Sequence, residues 1–590
     1  MRKVIVPARR KIVLSVFALT VCLWATAKIA APSRPQNTSE SAGLESVVKE
    51  VFMVPTRDGV LLKTILFHLT SAKPPGPVVL LRTPYNQEHN EAAARRFAAA
   101  GYYAVTQDCR GRFGSGGSFG FYPGEGRDGY DTAEWIRKQT WCNGKVATWG
   151  HSYLASDQWL TAALGTPLDA MCPSAGAADF YQNQYVGGAY MLGMARAGYS
   201  VGFYGPPPEV GKSPEWPKWF MHLPLADLES VTGYKAPWQI SFMVHNRRDA
   251  FWKPTDVTPE ISHMNFPGQH IVGYYDFLCR AAVTGFQLMR TRSATAFSRE
   301  NQQLVIGPWD HGTGNRKSAD VDFGPQAHVD MIAENITWCD RFLRKAATPR
   351  FPHVRYFSMG DNVWHEAGQW PPAEAVRTAF YLHSGGQANT SRGDGKLNPS
   401  SPARSEPADS FKADPANPLP DAPEPGKEYQ DIWGPTDQRA ASERQDVLIY
   451  QTQPLKKAVA FAGPLRAELY VSTDTPDADW AVRLIDVRPD GFAQPLATGI
   501  QRGSFRESDV NPTPLVPGKV YRLNVDLGHS AARILPGHSL RVQIASSCFP
   551  LFDRNTNTAE GPTGARTLVA TEQVWHSAVR PSKIWLPVVK

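Results

Sequence analysis

Two hydrophobic periods alternate along the chain after a polar start. Apolar residues at 51–54 and 60–67 flank Arg57-Asp58-Gly59, which predicts a β-hairpin closed by an Asp-Gly turn. A compact apolar run at 77–82 reads as a buried strand. Helical spacing follows at 91–100 and stops at Gly101. A strand is expected at 102–106, a helix at 130–139, a strand at 145–149, a helix at 154–164 and a strand at 169–172. From 179 to 269 the alternation lapses into Gly, Pro, Trp and Tyr, which predicts a mostly helical cap inserted into the sheet domain. Alternation resumes with strands at 270–274 and 303–306, helices at 281–290 and 329–343, and a last strand at 353–357. Strands alternating with helices imply a parallel α/β sheet.

Past Pro371-Pro372 the character changes to short apolar strands separated by Pro, Gly and Asp, including 466–472, 480–488, 520–527 and 539–545. With no helical period among them, residues 371–590 are expected to form an all-β sandwich. A stretch at 387–427, dense in Pro, Ser, Asp and Gly, reads as a long surface loop of low order. At 590 residues the chain is too long for one core, so an α/β domain over 47–370 and a β domain over 371–590 are the expected units.

The first 27 residues change the picture at the other end. Arg2, Lys3, Arg9, Arg10 and Lys11 precede an apolar run from Ile12 to Trp24 and the small-residue site Ala25-Thr26-Ala27, the layout of a secretory signal peptide. Residues 28–46 read as a polar tether. Export to a periplasmic or extracellular location is the expectation, with the leader cleaved or kept as an anchor and no stable membrane partner beyond it. Removing 1–27 takes away five positive charges and no negative ones, which brings a formal +7 to about +2 and leaves nothing to suggest nucleic acid. The six cysteines beyond the leader are scattered, so no disulfide framework is indicated. No H-E-x-x-H or clustered His/Cys set is present, so neither a metal nor another cofactor is expected.

The candidate chemistry centres on Trp149-Gly150-His151-Ser152-Tyr153-Leu154-Ala155, a serine among small residues between a strand and a helix. That is the setting of a nucleophile elbow, G-x-S-x-G, with Ala155 in place of the second glycine. A serine nucleophile needs a base, itself oriented by an acid. Tyr274-Tyr275-Asp276 follows one later strand and Pro308-Trp309-Asp310-His311 follows the next, so both groups are expected at the same sheet edge as Ser152. The order Ser152, Asp276, His311 is that of α/β-hydrolases. Asp310 competes as the acid. Asp276 is favoured, because a residue adjacent to the histidine usually points elsewhere.

These motifs, with Arg82-Thr83-Pro84-Tyr85, the Asp108–Gly117 loop, Asp479-Trp480-Ala481-Val482-Arg483-Leu484 and Phe549-Pro550-Leu551-Phe552-Asp553-Arg554-Asn555, resemble those of the cocaine-esterase-like and Xaa-Pro dipeptidyl-peptidase-like serine hydrolases. That group includes the α-amino acid ester hydrolases. The resemblance implies an α/β-hydrolase core with an inserted helical cap and a C-terminal jelly-roll. It also implies an oxyanion hole made by the Tyr85 hydroxyl and the Tyr153 backbone N–H. The implied activity is cleavage of a small-molecule ester or amide through an acyl-enzyme, a carboxylesterase first and an Xaa-Pro dipeptidyl-peptidase or α-amino acid ester hydrolase second. A catalytically inactive secreted binding protein is the reading from another class, and homo-oligomerisation is left open. Amino-ester-cleaving relatives carry acidic residues just after the triad aspartate, where this chain has Phe277, Leu278 and Cys279, so acyl groups without a free α-amine are expected. The aromatic cap, with Tyr181 and Trp252, is expected to enclose them beside Phe277.

Overall fold

The computed structural model describes residues 46–590 apart from 167, 204–207 and 424–433. The leader at 1–27, nearly all of the tether, the Gly205–Pro207 stretch and part of the 387–427 segment lie outside the described residues.

Ten strands form the first sheet. They are β1 (Val47–Pro55), β2 (Leu61–Leu69), β3 (Gly76–Thr83), β4 (Tyr103–Asp108), β5 (Cys142–His151), β6 (Ala170–Ser174), β7 (Gly268–Gly273), β8 (Gln302–Gly307), β9 (Val354–Ser358) and β10 (Val363–Ala367). Their spatial order is β1-β2-β4-β3-β5-β6-β7-β8-β9-β10. All pairs from β4 to β9 are parallel, while β2 runs antiparallel to both its neighbours and β10 antiparallel to β9. Every residue of β3, β4, β7 and β8 is buried, as strands of a parallel sheet covered on both faces are. The longer helices beside the sheet are α1 (Glu91–Ala99), α2 (Glu125–Arg137), α3 (Tyr153–Ala163), α4 (Cys279–Arg292) and α5 (Met331–Leu343). Phe97 of α1 and Trp338 and Leu343 of α5 pack together with Phe67, Val79, Leu81 and Ala147 of the sheet. Ile136 of α2 meets Leu66, Val78, Leu80, Val105 and Val146, the alternate positions of the same strands, so it covers the opposite face.

The elements match the expected ones with shifted ends. The helix expected at 130–139 begins at Glu125 and ends at Arg137, and Gly126 and Gly129 lie inside it where a side chain would strike Leu160 and Thr161 of α3. Small residues there serve close helix packing rather than a loop.

The cap runs between β6 and β7 as short helices and 3₁₀ turns, with a hairpin of Tyr185–Val186 and Ala189–Tyr190. Its interior is aromatic, built on Phe180, Tyr181, Tyr185, Trp216, Phe242 and Trp252, and is continuous with Tyr153 of α3.

Beyond Pro371-Pro372 twelve strands form the β domain, in which Val459–Thr473 pairs along most of its length with Tyr521–Ile534. The two domains do not keep separate interiors. Val272, Leu278 and Phe286 of the α/β domain belong to one apolar cluster with Leu465, Val482, Val542 and Leu586 of the β domain. The segment expected to be a loose loop carries two strands, Lys396–Asn398 and Asp409–Ala413. Asp409 explains its order: fully buried, its carboxylate accepts from Ser384 Oγ, Tyr450 Oη and His576 Nε2.

Candidate active site

The order of β4, β3, β5 and β6 sets the location. The chain leaves β3 toward β4 on one side and β5 toward β6 on the other, so a crevice opens beyond the carboxyl ends of β3 and β5. Pro84-Tyr85 follows β3 and Ser152 follows β5, while β7 and β8 deliver Asp276 and His311 to the same edge.

Ser152 stands at φ 62° and ψ −121°, a conformation that costs a non-glycine residue about 1–3 kcal/mol and persists because its surroundings enforce it. Its N–H donates to Ser174 O at 3.0 Å, and its carbonyl accepts from Ala155 and Ser156 N–H. Gly150 leaves room for Leu154. The departure at Ala155 is met from the segment after β6: Gly176 lies against it, and a Cβ on Gly176 would stand 2.6 Å from the Ala155 Cβ. The small position has moved from the helix to the chain after β6.

Ser152 Oγ lies 2.8 Å from His311 Nε2, and His311 Nδ1 lies 3.0 Å from Asp276 Oδ2. A carboxylate only accepts, so Nδ1 carries the proton and Nε2 presents its lone pair to the serine hydroxyl. The other Asp276 oxygen accepts from Leu278 N–H at 2.8 Å. Asp310 is turned away and accepts from Gly312 N–H and Ser318 Oγ.

The His311 ring is held between two others, Phe277 at 4.5 Å and His151 at 4.6 Å between centroids. Burial, with the adjacent His311, pushes His151 down to about 3, so it stays neutral beside the base. Its place inside the elbow motif was the only sequence signal for this contact.

Tyr153 opens α3, so its backbone N–H has no intrahelical acceptor. Its ring stacks on Tyr122 at 4.2 Å, and its hydroxyl donates to Glu125 Oε1 and accepts from Tyr122 N–H. Glu125 is paired in turn with Arg82 at 2.8 Å, both fully desolvated. Arg112 steadies the Tyr85 turn by donating to Pro84 O, and the Tyr85 ring packs on Phe203 of the cap at 5.3 Å. Nothing in the sequence pointed to Phe203.

Cys109, Glu125 and Asp157 bring ligand-type atoms within 4.8 Å of one another. They do not suit a metal ion. Arg82 donates to one Glu125 oxygen and the Tyr153 hydroxyl to the other, so that carboxylate is already neutralised and satisfied.

The expected substrate contacts divide. Phe277 lies against the base. Tyr181 and Trp252 are buried in the cap interior, where the Tyr181 hydroxyl donates to Asn246 O and the Trp252 indole to His245 O. Stacked on Tyr185 and Phe242, they belong to the cap's aromatic interior, which is continuous with Tyr153. A cavity of about 80 Å³ behind Asp276, bordered by Phe277, Met191, Leu551 and Phe552, is lined by neither Ser152 nor His311.

Residues 58–313 match the model of the X-Pro dipeptidyl-peptidase (S15) family, and residues 347–584 that of the X-Pro dipeptidyl-peptidase C-terminal non-catalytic domain. The chain is 34% identical over 584 residues to the cocaine esterase of Rhodococcus sp., covering 93% of this chain and 99% of that one. Among solved structures it is similar to an aminopeptidase from a marine sediment Thaumarchaeota archaeon, at TM-score 0.81, 26% identity and coverage of 96% and 99%. It is equally similar to an α-amino acid ester hydrolase, at TM-score 0.80, 25% identity and the same coverage. With both domains matched and a relative of this identity along nearly its whole length, the chain belongs to the cocaine-esterase-like, X-Pro dipeptidyl-peptidase-like family of serine hydrolases.

Proposed function

We propose that the protein is a carboxylesterase for acyl groups that lack a free α-amine, with Ser152 as nucleophile, His311 as base and Asp276 as the acid that orients it. The observation that carries this reading is the unbroken relay from Ser152 Oγ through His311 to Asp276, at 2.8 and 3.0 Å, on a strained elbow. Ser152 attacks the carbonyl as Nε2 of His311 takes its proton. The oxyanion accepts hydrogen bonds from the Tyr153 N–H and the Tyr85 hydroxyl, donors worth about 3–4 kcal/mol each in such sites. His311 then protonates the departing alcohol, and a water activated by the same imidazole releases the acyl group.

The substrate class rests on what surrounds Asp276. Leu278 and Cys279 point into the apolar interior, and Phe277 covers one face of His311. An ammonium against Phe277 would be desolvated without a partner, at a cost of several kcal/mol. The two cap carboxylates that might have served it are engaged: Asp179 with Arg248 at 2.7 Å and Asp249 with His245 at 2.7 Å. Export with cleavage near Ala27 belongs to the same proposal, and N-terminal sequencing of the native protein reads it out.

Intact-mass analysis after a fluorophosphonate is expected to give one adduct on the wild type and none on Ser152→Ala. A labelled mutant overturns the nucleophile. Comparing kcat/KM for phenylacetyl and phenylglycyl esters of one alcohol tests the acyl preference. If the phenylglycyl ester is the better by a wide margin, or Xaa-Pro amides are the best substrates, the preference is wrong while the serine chemistry stands.

A further inference from the structure

The loop after β4 carries a cation that the Ser152–His311–Asp276 relay does not use. Among the described residues, half-buried Arg112 is met by carbonyls and rings rather than by a carboxylate. Its Nε donates to Pro84 O at 2.9 Å and its Nη1 to Gly202 O at 3.3 Å. Pro84 precedes Tyr85, and Gly202 precedes Phe203 of the cap, so one guanidinium ties together the backbones beside two rings that pack at 5.3 Å. A planar group with several donors in fixed directions suits such a bridge.

Aromatic rings close the bridge on its other side. Arg112 lies over Phe119 at 5.1 Å and over Phe113 at 5.2 Å, and Phe119 stacks on Phe203 with 6.2 Å between centroids and 8° between planes. Tyr85, Phe203, Phe119 and Arg112 therefore form a closed circuit. The Tyr153 ring touches three members of it, Tyr85 at 6.2 Å, Phe119 at 6.3 Å and Phe203 at 5.7 Å. Phe113 is 58% exposed and stands at φ 44°, a left-handed conformation that is costly for a bulky residue and persists only where the surroundings impose it. What that strain places is a ring over Arg112. Burial lowers the Arg112 pKa while Cys109, Tyr153, Tyr85 and Asp108 oppose it, so its charge reaches both phenols.

We infer that Arg112 is a positioning residue for the oxyanion hole: by holding the Pro84 and Gly202 carbonyls together it docks the cap against the Tyr85 turn and fixes the Tyr85 hydroxyl where the oxyanion develops. The inference rests on the role proposed above for Tyr85. Arg112 acts through that hydroxyl and not on the substrate. An oxyanion donor works because its place is set before the reaction begins, and a misplacement of about 1 Å costs about a hundredfold in rate. The donor serves the tetrahedral state more than the planar ester, so its loss falls on kcat rather than KM.

Nitrophenyl-ester kinetics and the Ki of an arylboronic acid, whose adduct with Ser152 is tetrahedral and anionic, are measured on the wild type, Arg112→Met, Tyr85→Phe and the double variant, with active sites counted by fluorophosphonate labelling. Expected for Arg112→Met are a loss of about 10- to 100-fold in kcat per labelled site, a rise of similar size in the boronate Ki, and a KM within about threefold of the wild type. On the Tyr85→Phe background the same substitution should cost less than about threefold, because the donor it positions is already gone. A boronate Ki within about twofold of the wild type overturns the inference, and so does a full second loss on the Tyr85→Phe background, the mark of a brace for the fold alone. If Tyr85→Phe is damaged while Arg112→Met is not, the role of Tyr85 stands and only this inference falls. A Tyr85→Phe enzyme with wild-type kcat overturns both. Should Arg112→Met not fold, Arg112→Lys takes its place: it keeps the charge but not the fork, and must raise the boronate Ki by about tenfold, with no such rise on the Tyr85→Phe background.

Discussion

Replacing Asp276 by Asn separates the two aspartates that compete to orient His311. The substitution is nearly isosteric in a site where Asp276 is 4% exposed, so the fold should survive. Two hydrogen bonds are at stake. The Asn oxygen can keep the 2.8 Å bond from Leu278 N–H, which turns its amide N–H toward His311 Nδ1, 3.0 Å away. A donor there stabilises the tautomer with its proton on Nε2, and that proton faces Ser152 Oγ at 2.8 Å where a lone pair is needed. The base is lost without losing the ring. Wrong-tautomer substitutions of this kind lower kcat by about 10⁴, equivalent to ~5.5 kcal/mol of transition-state stabilisation. KM should move less than about threefold, since a group that does not touch substrate contributes no uniform binding. Asp310→Asn is the control: its oxygen keeps Gly312 N–H, and the Ser318 hydroxyl can rotate to accept from the new amide. It should cost less than about tenfold in kcat. Nitrophenyl-ester kinetics, with Tm to confirm folding, measure both. If Asp276→Asn keeps more than about 1% of kcat, or Asp310→Asn is the more damaged, the orienting role belongs elsewhere.

Gly176→Ala would drive a methyl to 2.6 Å from the Ala155 Cβ, an overpacking expected to cost about 1–3 kcal/mol in denaturant melts and to lower kcat by disturbing the elbow. Adding Ala155→Gly should restore both; failure to do so would show that the two positions are not coupled. Arg82→Met leaves the buried Glu125 carboxylate without its cation and should cost about 3–5 kcal/mol, of which adding Glu125→Gln recovers a large part. Equal stability of the single and double variants would contradict this. His576 carries a pH signature. Burial alone would lower it, but bonds to Asp409 and Glu406 outweigh that and raise it, while the two carboxylates, also against their burial, are held low by His576 and His383. The histidine's contribution is complete below its unfolded value of about 6.5 and is lost as pH rises through the folded one, whereas the carboxylates contribute above about 4 and lose it on acidification. The Tm gap between wild type and His576→Gln should therefore be widest between about pH 4.5 and 6.5 and narrow on either side; a gap that widens above neutrality would refute the sign.

Period and turn chemistry are local, and they made much of this protein legible in its sequence. Buried runs such as 77–82 and 303–306 had to be strands of a covered parallel sheet, and Ser152 among small residues between a strand and a helix had to sit on a tight, exposed turn. The order of Ser152, Asp276 and His311 along strands of one sheet brought them to one edge. Which atoms then met was another matter. Whether Asp276 or Asp310 faces Nδ1 depends on the turn that gives Asp310 to Gly312 and Ser318. Ala155 is tolerated in the elbow because Gly176, twenty-one residues later, yields the space. That Tyr181 and Trp252, expected to enclose substrate, are buried within the cap's aromatic cluster was set by packing, because composition does not say which side of an aromatic its neighbours will cover. Asp409 ordered a segment that Pro, Ser and Gly had made to look loose. Apart from the Asp310 turn, the deciding contact joins residues well separated in the chain. Local propensity sets the backbone period and the strain of a turn, but the partner of a buried polar or small side chain is chosen only when distant segments are packed at full density.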